Sequence, residues 1–148
     1  MPKHNRKGRD KSERFVKLPY YLLRSAAWLH LTPRERTAFL LIAERYNGLN
    51  NGRISLSIRE IVLLGRMAAN SASKALKTLE DAGFIKKTFN GSFSQKKPLA
   101  SEFELTYQPT EKAIASKEFM KSKPKKNTVS KPSLNGIKLD PISHEGVL

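Results

Sequence analysis

Asn70, Ser71, Ser73, Lys74 and Lys77 fall on one side of the stretch 68–82, while Ala72, Ala75, Leu76 and Leu79 fall on the other. This spacing predicts an amphipathic helix, and its outward residues suit one chemistry. Short polar side chains near the N-terminus of such a helix reach base edges in the major groove of a duplex, and longer ones reach phosphates. Asn70 is the expected base reader, with Ala69 beside it. Ser71, Ser73, Lys74 and Lys77 are expected on phosphates or sugars, contacts that position a protein without specifying sequence. The plainer alternative for every one of them is a solvated helix face.

Further candidates flank this stretch. Ser94, Gln95, Lys96 and Lys97 occupy the tip of the connection NGSFSQKKPLA, where they would enter or border a minor groove. Arg66 precedes the helix. Arg53 and Arg59 either grip phosphates or pair with Glu60 or Glu44 on the protein's own surface. Trp28, Tyr46, Phe84 and Phe103 are aromatic enough to stack on single-stranded bases, but their periodic positions predict core packing. No catalytic residues are assigned. His4, His30 and His144 lack metal-ligand spacing, Glu80 and Asp81 point to different sides of a helix, and no glycine-rich phosphate loop is present. Neither a metal nor a cofactor is expected.

The elements that must hold these residues follow from the punctuation. A first helix is predicted over 19–29, with Pro19 in the first helical position and Tyr21, Leu22, Ala26 and Trp28 inward. Thr32-Pro33-Arg34-Glu35 is a capping box opening a second helix, in which Phe39, Ile42, Ala43 and Tyr46 recur at helical spacing. Asn47 to Gly52 is turn-rich, and 53–56 reads as a short strand. Ser57-Ile58-Arg59-Glu60 is a second capping box, for a helix ending near Gly65. After the helix over 68–82, closed by Gly83, the segments 84–89 and 101–107 form a hairpin that brings Glu102 and Glu104 within reach of Lys86 or Lys87. A short helix over 110–120 is the remaining possibility in the tail.

Composition sets the partner class. The chain has 148 residues, 28 Lys plus Arg against 13 Asp plus Glu, a formal charge of +15 and no cysteine. Residues 1–17, 18–108 and 109–148 each carry a net positive charge, which favours a polyanion, because neutralised phosphates release counterions. Lack of cysteine removes any disulfide framework or Cys-ligated zinc. With no apolar run approaching the roughly 20 residues of a membrane span and no signal-type stretch, the expectation is a cytoplasmic, nucleoid-associated protein without membrane contact. The expected organisation is a disordered basic arm (1–14), one folded domain (15–108) and a mostly disordered tail rich in Lys, Ser and Pro (109–148).

The order helix, helix, strand, helix, helix, strand, strand is the plan of an α+β winged helix-turn-helix, with three to four helices and a short β-hairpin wing. Ala75, Leu76, Leu79, Gly83, Phe84 and Ile85 meet the pattern A-L-x-x-L-x-x-x-G-[FL]-I. With Ile54 to Ser57, this stretch resembles bacterial regulators of the MarR and GntR type. Together with Phe15-Val16-Lys17-Leu18-Pro19, it is also similar to the DNA-binding domain of phage replication proteins of the lambda O kind. The resemblance spans residues 15–107 and departs from the usual pattern at the turn, where Gly65 sits one position early, Arg66 takes the glycine place and Ala68 takes the Ser or Thr cap.

The resemblance implies a sequence-specific protein of double-stranded DNA, with a small transcriptional regulator as the first expectation and an origin-binding replication initiator of plasmid or phage type as the alternative. A structural RNA-binding or ribosome-associated protein would use the same lysines without needing a recognition helix. A homodimer and a protein partner held by the C-terminal tail are both compatible with this reading.

Overall fold

The structure, a computed structural model, describes residues 14–94 and 97–123. Nearly all of the basic arm, the tip residues Gln95 and Lys96, and the tail from 124 onward lie outside the described residues. Within them the chain is α+β, with five α-helices and a small antiparallel sheet. In chain order these are α1 (Tyr20–Leu23), α2 (Ala26–Leu29), α3 (Pro33–Glu44), β1 (Ile54–Leu56), α4 (Ile58–Gly65), α5 (Ala69–Asp81), β2 (Ile85–Phe89), β3 (Phe93–Ser94), β4 (Lys97–Pro98) and β5 (Ser101–Leu105).

Local chemistry explains the starts of the central helices. The Glu35 carboxylate accepts the Thr32 N–H at 2.6 Å, and Pro33, which has no N–H to leave unpaired, takes the first position of α3. Ser57 and Glu60 form the reciprocal box of α4: Ser57 N–H donates to the Glu60 carboxylate at 2.8 Å and Glu60 N–H donates to Ser57 Oγ at 3.2 Å. Arg45 adds an ion pair to Glu60 at 3.0 Å. The bonds from Ser57 and the Arg45 charge hold the Glu60 carboxyl below its ordinary range.

A group with a lowered folded pKa stabilises the fold above its unfolded pKa, and that contribution is lost as pH falls through the folded value. Glu60 is well exposed, so water screens the pair. Glu60→Gln is expected to lower stability at neutral pH by no more than about 1 kcal/mol. The difference from the parent should close below the usual carboxylate range, and denaturant titrations at several pH values check it. A gap of constant size at all pH values would exclude the charge as its cause.

The helix predicted over 19–29 is split into α1 and α2. Ser25 makes the break: its hydroxyl donates to the Leu22 carbonyl at 2.7 Å and accepts the Trp28 N–H at 3.1 Å, with the backbone extended between. A serine that satisfies both flanking turns competes with continuous helix. Pro19 correspondingly stands at the N-cap with extended ψ, not in the first helical position.

Helices α3, α4 and α5 pack on one another and on a sheet of order β1-β5-β2. Ile54 pairs with Phe103, and Ile85 with Leu105. Trp28, Phe39 and Phe84 meet edge to face at 5.3–5.9 Å, a favoured aromatic geometry. Of the four aromatic residues considered as base platforms, Trp28, Phe84 and Phe103 are buried, as the periodicity predicts, and Tyr46 is half-buried against the core.

The folded unit does not end at Gln108. Residues 109–123 form a strap in place of the helix considered over 110–120, and only Glu118–Met120 make a single 3-10 turn. Phe119 is 1% exposed and stacks on Phe84, ring centroids 4.9 Å apart. The Lys117 N–H donates to the Thr106 carbonyl at 2.8 Å. Gly83 permits the approach: it has a φ of +81°, and a Cβ there would lie 2.8 Å from the Phe119 nitrogen.

Candidate nucleic-acid interface

α5 divides as its spacing predicts. Ala72, Ala75, Leu76 and Leu79 are buried, while Ala69, Asn70, Ser73, Lys74 and Lys77 are exposed and Ser71 is half-buried. From residue 69 to 79 the helix has no acid, whereas Glu80 and Asp81 close it. Positive charge is therefore concentrated on its first two and a half turns or so.

The turn into α5 has the departures read from the sequence, at Arg66 and Ala68. Arg66 adopts the left-handed conformation, φ +48° and ψ +51°, and its N–H donates to the Val62 carbonyl, closing α4 as glycine usually does. A side chain there costs roughly 1–2 kcal/mol. Ala68 is extended and supplies no side-chain cap. The exposed Arg66 side chain thus sits directly before the acid-free part of α5.

Beyond Phe89, the hairpin continues as a narrow ribbon. Phe93 pairs with Pro98 and Ser94 with Lys97, and the Gly91 N–H donates to Ser101 Oγ at 3.1 Å. Ser94 and Lys97 are placed by this backbone pairing at the ribbon's end, next to Gln95 and Lys96. A register irregularity between Lys87 and Phe89 bends the strand where the ribbon leaves the sheet. A cleft of about 450 Å³ separates the ribbon's root from α5. Ser73, Lys77 and Glu80 form one wall, Lys87 and Ser101 the other, over Leu56, Ile58 and Leu76.

Ion pairing sorts the basic residues. Among the described residues Arg45 pairs with Glu60, Arg53 with Glu111 at 3.0 Å, and Lys86 with Glu118 at 2.6 Å. Arg53 was a candidate for phosphate contact or for pairing with Glu60 or Glu44; its actual partner is an acid of the strap. Both side chains are about 65% exposed (65% and 64%), so a phosphate competes with Glu111 at little cost. Lys86 stands opposite Glu104 in the ladder as expected, yet its ion pair goes to Glu118, whose hydrogen bond raises the Lys86 pKa. Glu102 lies opposite Phe89 instead of a lysine. Arg34, Arg59, Arg66 and Lys74 form no ion pair with a described acid, and all are exposed.

Arg34 is the residue that sequence reasoning missed. It lies on α3, and its Nη1 reaches Ser71 Oγ on α5 at 3.5 Å. Only its position beside the capping box was visible in the sequence, and nothing there tied it to α5.

No three His, Cys, Asp or Glu side chains among the described residues gather as a metal set, and no described helix is long and apolar enough to cross a membrane. No family model matches the chain, and comparisons with curated proteins and with solved structures find no match either.

Proposed function

We propose that the chain is a winged helix-turn-helix protein that binds double-stranded DNA with sequence preference, and that it acts as a small transcriptional regulator. The observation that carries this reading is the exposed part of α5 from residue 69 to 79, which has no acid and brings Asn70, Ser73, Lys74 and Lys77 together, across a cleft from the root of the β3–β4 ribbon. In this reading α5 enters the major groove, Asn70 meets base edges, and the lysines with Arg59 and Arg66 hold phosphates. The ribbon borders the adjacent minor groove. Arg53 joins the phosphate contacts by leaving Glu111.

Two properties test this reading, and the second separates it from a generic cation. Affinity for duplex is expected to fall linearly in log K against log salt, by about 0.9 per phosphate neutralised. Asn70→Ala should flatten discrimination among sites by roughly 1–3 kcal/mol, while Lys74→Ala weakens all sites alike. Selection from a random duplex pool, followed by binding titrations of both variants, measures this. If Lys74→Ala changes the preferred sequence and Asn70→Ala does not, α5 is docked wrongly. Genome-wide mapping distinguishes promoter sites, which a regulator requires, from clustered repeats at one origin, which an initiator requires.

A further inference from the structure

Arg34 stands where a helix does not benefit from a cation. It is the second residue of α3, whose aligned peptide dipoles leave positive charge at that end. Its neighbours are differently used: Glu35 caps Thr32, and Arg36 donates to the Trp28 carbonyl at 3.2 Å while lying over the Trp28 ring. Arg34 makes no ion pair with a described acid, and its guanidinium reaches the neutral Ser71 hydroxyl.

The location of that contact gives Arg34 a role. Ser71 and Ser73 lie roughly 160° apart around α5. Ser73 faces the cleft to the ribbon's root, with Lys87 and Ser101 across it, and Ser71 faces α3. The outward residues Asn70 and Lys74 fall between these two borders. One border of α5 is thus flanked by the ribbon and the other by Arg34. A helix lying in a major groove about 12 Å wide has a phosphate backbone on each side.

We infer that Arg34 binds a backbone phosphate of the DNA strand lying across the major groove from the ribbon, so that the DNA-contacting surface extends from α5 onto the start of α3. The inference rests on the proposed docking of α5. The weak 3.5 Å contact with Ser71 leaves the guanidinium beside α5 and free to turn, so that its planar fork can meet phosphate oxygens in a bidentate manner. Because the contact is to phosphate, Arg34 contributes affinity and register and carries no base preference.

The test uses the full chain and duplex sites selected by the parent protein. Arg34→Ala is expected to reduce the magnitude of the log K against log salt slope by about 0.9, and affinity at low salt by on the order of tenfold. Ranking among sites should not change, and the melting temperature should be unchanged or slightly higher, since a cation leaves the positive end of α3. Arg34→Lys should keep the slope while losing part of the affinity. Phosphate ethylation interference should lose its signal at one position on the strand across the groove from the ribbon. An unchanged slope and affinity in Arg34→Ala, with the parent binding duplex normally, overturns the role of Arg34 and leaves the proposed function standing. A changed site preference overturns the phosphate assignment. If the parent binds no duplex, or binds independently of salt, both readings fall together.

Discussion

Phe119→Ala is expected to cost about 3–5 kcal/mol of folding free energy, as large-to-small changes of buried aromatics do. The ring is fully enclosed, stacked on Phe84 at 4.9 Å with Tyr21 beside it at 6.4 Å. Phe84 in turn contacts Trp28 and Phe39, so the cavity would open into the centre of the aromatic core. The strap cannot close over such a hole easily. Its backbone is fixed by the Lys117 N–H on the Thr106 carbonyl, and Lys86 holds Glu118 next to the ring. Lys117 also rests over the Tyr21 ring, 4.7 Å from its centroid. A chain ending at residue 108 should melt lower by on the order of 10 °C or more. The adjacent and largely exposed Met120 supplies the control, because Met120→Ala removes side chain without opening the core. Equal denaturation midpoints for the Phe119 and Met120 variants would show that the strap is not part of the cooperative unit.

Asn51→Leu should rank next, at roughly 1–3 kcal/mol for each buried backbone group left without a partner. Strand β1 pairs with β5 only from Ser101 to Phe103, so Leu105 runs past its end. The Asn51 side chain takes the place of the missing strand residue: its Oδ1 accepts the Leu105 N–H at 2.7 Å, and its Nδ2 donates to the Leu105 carbonyl at 2.9 Å. Nδ2 also lies 3.0 Å from the Gln108 carbonyl and 3.2 Å from that of Pro109, tying the end of β5 to the start of the strap. Leucine has a similar volume and none of these bonds, and Asn51 is only 7% exposed, so water cannot replace them freely. Amide exchange should report the loss at Leu105 first. If Leu105 stays protected and the denaturation midpoint does not move, the amide is dispensable and the ladder closes without it.

The part of the chain from β1 to β5 was readable because its signals are local. Alternation of Phe103 and Leu105 with polar residues marks β5, Ser57 and Glu60 mark the start of α4, and the 3.6-residue period of Ala72, Ala75, Leu76 and Leu79 separates the inner from the outer face of α5. These interactions span four residues or fewer, so residue type and spacing decide them before any tertiary contact forms. The Ser25 break is just as local but was not distinguished, since serine is tolerated within a helix as well as at its cap.

What tertiary structure alone decided lies at larger separation. Asn51 sits among turn residues, and only the early end of β1 turns it into a surrogate strand. Phe119 lies in a stretch for which the sequence suggests at most a short helix and no place in the core, yet the space over Phe84 and the backbone left open by Gly83 admit it there. Arg34 and Ser71 are brought together by the packing of α3 on α5. The sequence by itself therefore determined which side chains α5 presents outward, through a period set by the helix. The tertiary structure determined which cations meet a described acid and which do not, because pairing depends on distances that no local spacing encodes.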